Sequence, residues 1–215
     1  MSLRFDTSDP ISRAHGLEAA ASAVRRGDLV VLPTDTVYGI GADAFSPVGI
    51  EKLLAAKGRG RDMPVPVLVG SPDTVEGLAY GLSKAARDLI EACWPGALTV
   101  VVRHQPSLAW DLGDAAGTVA LRMPLHPVAI ELLRMTGPLG VSSANRSGSP
   151  AATTYDEADE QLGDSVSVYL DAGPSGEAIP STIVDVSGAV PRVLRLGAVD
   201  LDTLRSVVPD LVVEG

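Results

Sequence analysis

Short apolar runs alternate with amphipathic segments along this chain, and this alternation constrains the fold more than any other feature. An aspartate or a serine stands directly before proline at 9–10, 46–47 and 71–72, which is typical of a helix N-cap and first helical position. The longest apolar runs, at 29–32 and 98–102, are far too short to cross a bilayer. The pattern therefore predicts an α/β layer fold.

The same pattern places the individual elements. It predicts strands at 28–33, 64–69, 97–103, 118–123, 139–142, 166–170, 182–186 and 192–196. It predicts helices that begin near 9, 46, 71, 83, 126 and 201. Some strands follow one another with no helix between them, so we expect a mixed sheet. No repeat or composition break interrupts the chain, and we expect one domain over 1–215.

Charge and cysteine content limit the partners and the compartment. The formal net charge of the 215 residues is −10, so the chain repels phosphate backbones at long range and a large nucleic-acid footprint is disfavoured. A local basic pocket is still compatible with that charge. Cys93 is the only cysteine and can form neither an intrachain disulfide nor a zinc cluster. Residues 1–10 have no apolar signal core, and we expect a cytoplasmic protein with a reduced thiol.

The segment 33–44 carries the first group of candidate residues. Thr34, Asp35 and Thr36 follow the predicted strand at once, and glycines stand at 39 and 41. Ligands of open α/β sheets lie at the carboxyl ends of strands, and glycine lets the backbone approach a ligand closely. A tight turn with capping hydroxyls explains the same residues equally well.

The basic segment at 57–61 is the second candidate. Lys57, Arg59 and Arg61 are spaced by glycines at the end of a predicted helix. Cations in that position commonly satisfy the last carbonyls and the helix dipole. In an otherwise acidic chain they also suit a polyphosphate, because lysine offers a point charge and arginine a bidentate fork. The spacing is not that of a Walker loop.

Several polar residues near other strand ends are weaker candidates. Ser143 and Asn145 lie in a glycine-containing loop that could hold an anion through hydroxyls and backbone N–H groups, although such loops are common. Four more residues near strand ends, taken one by one, fit a solvated edge position better than a ligand contact: Thr118, Arg122, Ser181 and Arg195. No histidine has metal-ligand spacing, and no nucleophile elbow or dinucleotide fingerprint occurs. Covalent and zinc catalysis are thus disfavoured, which leaves positioning and charge stabilisation.

Taken in order, these segments resemble the YrdC/Sua5 threonylcarbamoyl-AMP synthases. The resemblance runs from about 26 to 197 and rests on six motifs at compatible spacing. They are 33–44, Lys57-x-Arg59, Trp-Pro-Gly-Ala-Leu-Thr at 94–99, Leu-Arg-Met-Pro at 121–124, Ser-Ala-Asn-x-Ser-Gly at 143–148 and Ser-Thr-Ile-Val-Asp at 181–185. The resemblance implies a twisted mixed α/β sheet with flanking helices around a concave basic cavity.

The resemblance also implies an activity. Members of this family convert L-threonine, bicarbonate or CO2, and ATP into threonylcarbamoyl-AMP and pyrophosphate, with Mg²⁺. A separate complex then transfers the threonylcarbamoyl group to adenosine 37 of tRNA. No dedicated protein site for the metal is expected, because Mg²⁺ would be held mainly through the ATP phosphates.

Carried over by motif, the resemblance divides the candidate residues into two groups. The triphosphate and its metal would be held by Lys57, Arg59, Ser143 and Asn145, with Lys57 and Arg59 as the catalytic cations. Thr118 and Arg195 would lie near the nucleotide. The threonine contacts would be Thr34, Thr36, Arg122 and Ser181.

The chain differs from the family pattern at two points, and three other functions are alternatives. Some members have a threonine-binding histidine where this chain reads Val-Leu-Val at 67–69, and longer members have a C-terminal lid domain, so this chain resembles the short form. An RNA-binding module is one alternative, which the net charge of −10 disfavours. A carbamoyl-transfer domain of hydrogenase maturation is another, although such proteins also have zinc-finger and acylphosphatase regions. A regulatory ATP-binding module is the third.

Overall fold

A computed structural model describes residues 2–176 and 178–213 of the chain. Its strands form one mixed eleven-stranded sheet in the order β1-β8-β2-β3-β7-β4-β6-β5-β9-β10-β11. The strands are β1 (Leu3–Asp6), β2 (Val30–Leu32), β3 (Gly39–Asp43), β4 (Val67–Leu68), β5 (Leu98–Arg103), β6 (Thr118–Arg122), β7 (Leu139–Ser143), β8 (Val168–Asp171), β9 (Thr182–Asp185), β10 (Arg192–Arg195) and β11 (Val212–Val213). The predicted α/β class and mixed sheet are confirmed.

The described residues form seven α-helices, most of which begin at a predicted start. They are α1 (Pro10–Arg25), α2 (Pro47–Lys57), α3 (Val75–Leu78), α4 (Lys84–Cys93), α5 (Pro127–Thr136), α6 (Tyr155–Leu162) and α7 (Leu201–Val207). The side chains of Asp9 and Ser46 accept hydrogen bonds from backbone N–H groups of the first turns of α1 and α2. Gly58 ends α2 in the left-handed conformation, with φ of 60°. Within the described ranges, no helix is long and apolar enough to cross a membrane.

The chain differs from the expected element pattern in four elements, which are β1, β3, α6 and β11. The segment expected to be a turn or a ligand loop contains β3, which pairs antiparallel with both β2 and β7. A Cβ on Gly39 would lie 2.6 Å from Cγ1 of Val141, so this glycine permits close packing against a protein side chain rather than a ligand. Strand β1 and helix α6 have no counterpart among the predicted elements, because their sequences are polar and short.

Helices cover the two faces of the sheet unequally. On one face, α2, α3, α4, α6 and α7 pack on a core that runs across most of the sheet. On the other face, α1 and α5 pack on β1, β2, β4, β7 and β8, through residues such as Val30, Leu68 and Leu139. No buried residue of β5, β6 or β9 belongs to that second cluster. These three strands therefore keep one face free of helices.

Burial along β6 identifies this open face. Val119 and Leu121 point into the core, whereas Thr118 and Ala120 are partly exposed. Side chains alternate between the two faces of a strand, so Arg122 lies on the same face as Thr118. The same alternation and the strand register place Thr99 of β5 beside Arg122. We call this surface of β5, β6 and β9 the open face.

Candidate functional site

The open face brings the predicted site residues together at its two ends. Thr118 and Arg122 lie at opposite ends of β6, about 13 Å apart at the usual rise of about 3.3 Å per residue. The strand register puts Thr118 level with Pro64 and with the end of β7. We call the residues at that end the Lys57 cluster: Lys57, Arg59, Ser142, Ser143 and Asn145. We call those at the other end the Arg122 cluster: Thr34, Asp35, Thr36, Arg122, Ser181 and Arg195.

Lys57 joins two of the sequence motifs. Its Nζ donates to the backbone oxygens of Ser143, at 2.5 Å, and Asn145, at 2.6 Å. The side chain is 3% exposed, and burial, followed by the neighbouring charge of Arg59, lowers its pKa to about 8. The ammonium group is thus hydrogen-bonded to neutral carbonyls and not to a carboxylate. Its positive charge remains uncancelled and available to an anion.

Arg59 is held beside Lys57 in a similar way. Its NH1 donates to Oγ of Ser142 at 3.1 Å, and its NH2 donates to the oxygen of Pro64 at 3.3 Å. Its Nε is buried without a hydrogen-bond partner, and burial lowers the pKa of the guanidinium group. An unused buried donor is costly, and an anionic oxygen would satisfy it.

Asn145 shapes the loop that Lys57 binds. Its Nδ2 donates to the backbone oxygens of Arg146, at 2.9 Å, and Ser149, at 2.8 Å. The backbone N–H of Ser147 in turn donates to the oxygen of Lys57 at 2.8 Å. The amide of Asn145 is therefore used within its own loop. The hydroxyl of Ser143 makes no hydrogen bond with the described residues and remains free for a ligand.

Arg122 is compensated differently from Lys57. It is 7% exposed; its NH2 donates to Oδ1 of Asp35 at 2.7 Å, and its NH1 donates to Oγ1 of Thr36 at 3.0 Å. The backbone N–H of Leu125 also donates to Oδ1 of Asp35, at 2.8 Å. Burial lowers the pKa of Arg122, and Asp35 opposes that shift. The sequence indicated Asp35 only as a polar residue beside the candidate threonines. In the structure Asp35 accepts a hydrogen bond from Arg122 and fixes its position.

The two threonines of the 33–44 segment have unequal roles. Thr34 Oγ1 donates to the oxygen of Val37 at 2.6 Å and accepts from the backbone N–H of Thr36 at 3.2 Å. A hydroxyl has one proton, so that of Thr34 is already used. The hydroxyls of Thr34 and Thr36 are 3.0 Å apart. Thr36 therefore donates to Thr34 and accepts from Arg122, which leaves its second lone pair for a ligand donor.

Ser181 and Arg195 lie together at the Arg122 end. Arg195 NH2 donates to the backbone oxygen of Ser181 at 2.7 Å, and it is close enough to Arg122 to lower the pKa of Arg122. Oγ of Ser181 is 2.9 Å from Oγ1 of Thr99, which is 3% exposed and which the sequence did not single out. The resemblance implies that Arg195 lies near the nucleotide, and in the structure it contacts Ser181.

Cations of the site differ from those of the surface. Exposed arginines such as Arg13, Arg61 and Arg87 form ion pairs with carboxylates. Within the part of the chain that the structure describes, Lys57, Arg59 and Arg195 form no ion pair. No group of three or more His, Cys, Asp or Glu side chains that could hold a metal occurs in 2–176 or 178–213. The open face is thus positively charged in an acidic chain.

Known proteins resemble this chain in sequence and in architecture. The sequence profile of the Sua5/YciO/YrdC family, described as telomere recombination, matches residues 22–197. A Mycobacterium tuberculosis protein, to which threonylcarbamoyl-AMP synthase activity is provisionally assigned, is 60% identical over 96% of this chain and 95% of its own length. The threonylcarbamoyl-AMP synthase of Bacillus subtilis is 33% identical over 95% of this chain and 58% of its own length.

A solved structure gives the same architecture. Sua5 of P. abyssi, in its complex with L-threonine, superposes with a TM-score of 0.91 at 29% identity. The match covers 100% of this chain and 62% of the Sua5 chain. This chain therefore spans somewhat less than two thirds of the length of that protein.

Proposed function

This chain belongs to the Sua5/YciO/YrdC family, and on that premise we propose that it is a threonylcarbamoyl-AMP synthase. The reaction joins L-threonine, bicarbonate or CO2, and ATP, and it yields threonylcarbamoyl-AMP and pyrophosphate. This is the first step in forming threonylcarbamoyl-adenosine at position 37 of tRNA. The proposal covers a single domain, 1–215, acting in the cytoplasm.

The observation that carries the proposal is the separation of two polar clusters on one open face. The Lys57 cluster has uncancelled charge and a buried, unused N–H group, which suits a polyphosphate. The Arg122 cluster has a paired arginine and free hydroxyl capacity, which suits a small zwitterion.

Lys57 and Arg59 would bind the triphosphate and stabilise the charge that develops on it. The carbamate oxygen attacks the α-phosphorus, and pyrophosphate leaves towards these cations. Ser143 and Thr118 would orient the nucleotide along the open face, and Asn145 would keep the loop in shape. The donors here are hydroxyls and backbone groups, so Mg²⁺ fits through the ATP phosphates, where it would neutralise phosphate charge.

Arg122, Thr36 and Ser181 would bind threonine. Two of the guanidinium N–H groups of Arg122 remain beyond its three bonds, and they can reach a carboxylate. Arg195 lies beside Ser181, where it can serve either the amino acid or the α-phosphate. Thr34 would hold Thr36 in place rather than contact the substrate through its hydroxyl.

The product would be passed to a separate tRNA-modifying complex. Threonylcarbamoyl-AMP is a mixed anhydride that hydrolyses readily, so protection by protein walls is useful. A net charge of −10 disfavours tight binding of tRNA by this chain itself. We therefore expect direct nucleic-acid binding to be weak at most.

Reconstitution from pure components tests the proposal. The protein is mixed with ATP, Mg²⁺, bicarbonate and threonine, and threonylcarbamoyl-AMP is sought by mass. Release of pyrophosphate should require threonine and bicarbonate together, with valine as a poor replacement. Equal release without threonine would contradict the proposal and favour a simple ATPase.

A further inference from the structure

A cavity of about 180 Å³ lies next to the Arg122 cluster. Its walls are Pro33, Thr34, Asp35, His126 and the segment 172–176. His126 stands at the N-cap of α5, but its side chain makes no capping hydrogen bond. Its Nδ1 is buried and has no partner among the described residues. Helix capping therefore does not account for a histidine at this position.

His126 lies near charges of both signs, and its burial favours the neutral imidazole. Asp35 faces it from the loop after β2, and Arg13 faces it from α1, where Arg13 is paired with Glu131 of α5. The segment 172–176 contributes no titratable side chain. Burial is the main cause of a lowered His126 pKa; Arg13 adds to that shift and Asp35 opposes it. A neutral imidazole can accept a proton.

We propose that His126 is the general base that removes a proton from the ammonium group of the amino-acid substrate. The inference rests on the proposed function, because it assumes that threonine binds at the Arg122 cluster. An amine can attack CO2 or bicarbonate only through a free electron pair. Thr34 and Asp35 connect the two places, because they belong to the cluster and also line the cavity with His126.

The proton transfer to His126 requires no other reactant. An N–H bond of the ammonium group breaks, its electron pair stays on nitrogen, and the proton bonds to Nε2 of His126. The other ring proton stays on Nδ1. Asp35 lies close enough to stabilise the imidazolium ion, and burial favours its return to the neutral form by release of the proton to water. The free amine then forms its bond to the carbon of CO2, a C–O π pair moves to oxygen, and the nitrogen loses a second proton to water, which gives the carbamate. With bicarbonate the carbon–hydroxyl bond breaks instead, and the hydroxide takes up that proton and leaves as water.

Other groups in the site are less suited to this role. Lys57 lies in the opposite cluster and is bonded to two carbonyls. The Oδ1 of Asp35 already accepts from Arg122 and Leu125. The proton of the Thr34 hydroxyl is directed at Val37. Among the described residues that line this cavity, His126 alone has an imidazole, the side chain whose ordinary pKa lies nearest neutrality.

The pH dependence of kcat/KM for threonine tests the inference. His126→Gln should lower this value at pH 7 by about 10² or more, the usual contribution of a general base. The deficit should shrink about tenfold per pH unit, until threonine loses its own ammonium proton. His15→Gln, on the exposed surface of α1, is the matched control and should leave the profile unchanged. A His126→Gln profile with the wild-type shape, lowered or not, would overturn the inference.

Imidazole NMR of the wild-type protein gives a second test that needs no turnover. The chain has three histidines, so the His126 signals can be assigned by the His126→Gln spectrum. We expect one histidine to titrate below the ordinary range and to shift when threonine alone is added. Unchanged His126 signals at saturating threonine would overturn the inference even if the variant fails to fold.

The two proposals fail in different ways. A wild-type protein that makes threonylcarbamoyl-AMP, with an unaltered pH profile in His126→Gln, overturns only the role of His126. A wild-type protein that makes no product, although threonine shifts the His126 signals, overturns the proposed function and retains His126 as part of a threonine site.

Discussion

The two ends of the open face hold buried cations in opposite ways. Neutral carbonyls surround Lys57, so its charge is uncancelled, and burial, followed by the nearby charge of Arg59, lowers its pKa to about 8. Arg122 has the carboxylate of Asp35 at 2.7 Å, so its charge is balanced and its geometry is fixed. Uncancelled charge suits a highly charged ligand, whereas a balanced arginine suits a small zwitterion. On the proposed function, this difference assigns ATP to the Lys57 end and threonine to the Arg122 end.

Removing cations at the Lys57 end should have the largest effect. Arg59→Ala and Lys57→Ala should each lower the rate of threonylcarbamoyl-AMP formation by about 10²–10³, as when one donor to a transition-state charge is removed. Arg59→Ala is the cleaner variant, because Lys57 also holds the 143–149 loop through two carbonyls. Product formation and thermal melting are measured on the same preparations.

Arg61 gives the matched control for these two substitutions. It lies two residues beyond Arg59, but it is exposed and paired with Asp111. Arg61→Ala should leave the rate of product formation within about twofold of the wild-type rate. The exposed ion pair that it removes contributes only about 0–1 kcal/mol to stability. Near-wild-type turnover in Arg59→Ala would remove Arg59 from the site.

Breaking the ion pair at the Arg122 end should affect stability most. In Asp35→Asn the buried charge of Arg122 loses its counter-charge, and the free energy of unfolding should fall by about 3 kcal/mol. For a chain of this size that is a fall of about 6–12 °C in Tm. Denaturant unfolding, with the slope checked, measures the change.

Asp111→Asn is the control for Asp35→Asn. It removes the carboxylate of an exposed pair with Arg61 and should cost less than about 1 kcal/mol. Equal losses of unfolding free energy in the two variants would show that the buried ion pair of Arg122 stabilises the fold no more than the exposed pair of Arg61.

The pH dependence of pyrophosphate binding separates the two ends further. Lys57, with its pKa of about 8, loses its proton above that pH, whereas Arg59 and Arg122 keep theirs. If only the protonated form binds, affinity at pH 9 should be about tenfold below its plateau. Titration calorimetry from pH 7 to 9.5 measures this. In Lys57→Met, which has no proton to lose, this part of the pH dependence should disappear.

The stability of the ligand-free protein should change in the opposite direction. The folded pKa of Lys57 is lowered from 10.5 to about 8, so the unfolded state binds more protons between these two values. Stability of the wild type relative to Lys57→Met should therefore rise from pH 8 to 10.5 and level off above that. A constant difference between the two proteins over this window would contradict the lowered pKa.

The smallest expected effect is that of Thr99→Val at the Arg122 end. This change removes the hydroxyl that lies 2.9 Å from Oγ of Ser181 and keeps the shape of the side chain. Loss of one such bond costs about 1 kcal/mol, or about fivefold in KM for threonine, with kcat nearly unchanged. Steady-state kinetics measure the two constants separately. A fall in kcat alone would place Thr99 with the chemical step rather than with binding.

The sequence predicted the elements that depend on local signals. The Asp-Pro and Ser-Pro helix starts and the glycine after Lys57 act through neighbouring backbone groups, so the residues themselves are sufficient. The position of β3 could not be predicted in this way. Its two glycines look like a turn, and only pairing with β2 and β7 makes them a strand.

The sequence by itself also determined which residue types could form a site: a basic segment in an acidic chain, and hydroxyls after strands. Tertiary structure alone decided their partners. It placed Arg195 against Ser181, and it gave Arg122 a carboxylate while leaving Lys57 without one. The reason is distance along the chain. Several of these contacts join residues 86 or more positions apart, as between Lys57 and Ser143. Periodicity and capping report on neighbours within a few residues, whereas charge compensation depends on strand order and on which sheet face the helices leave open.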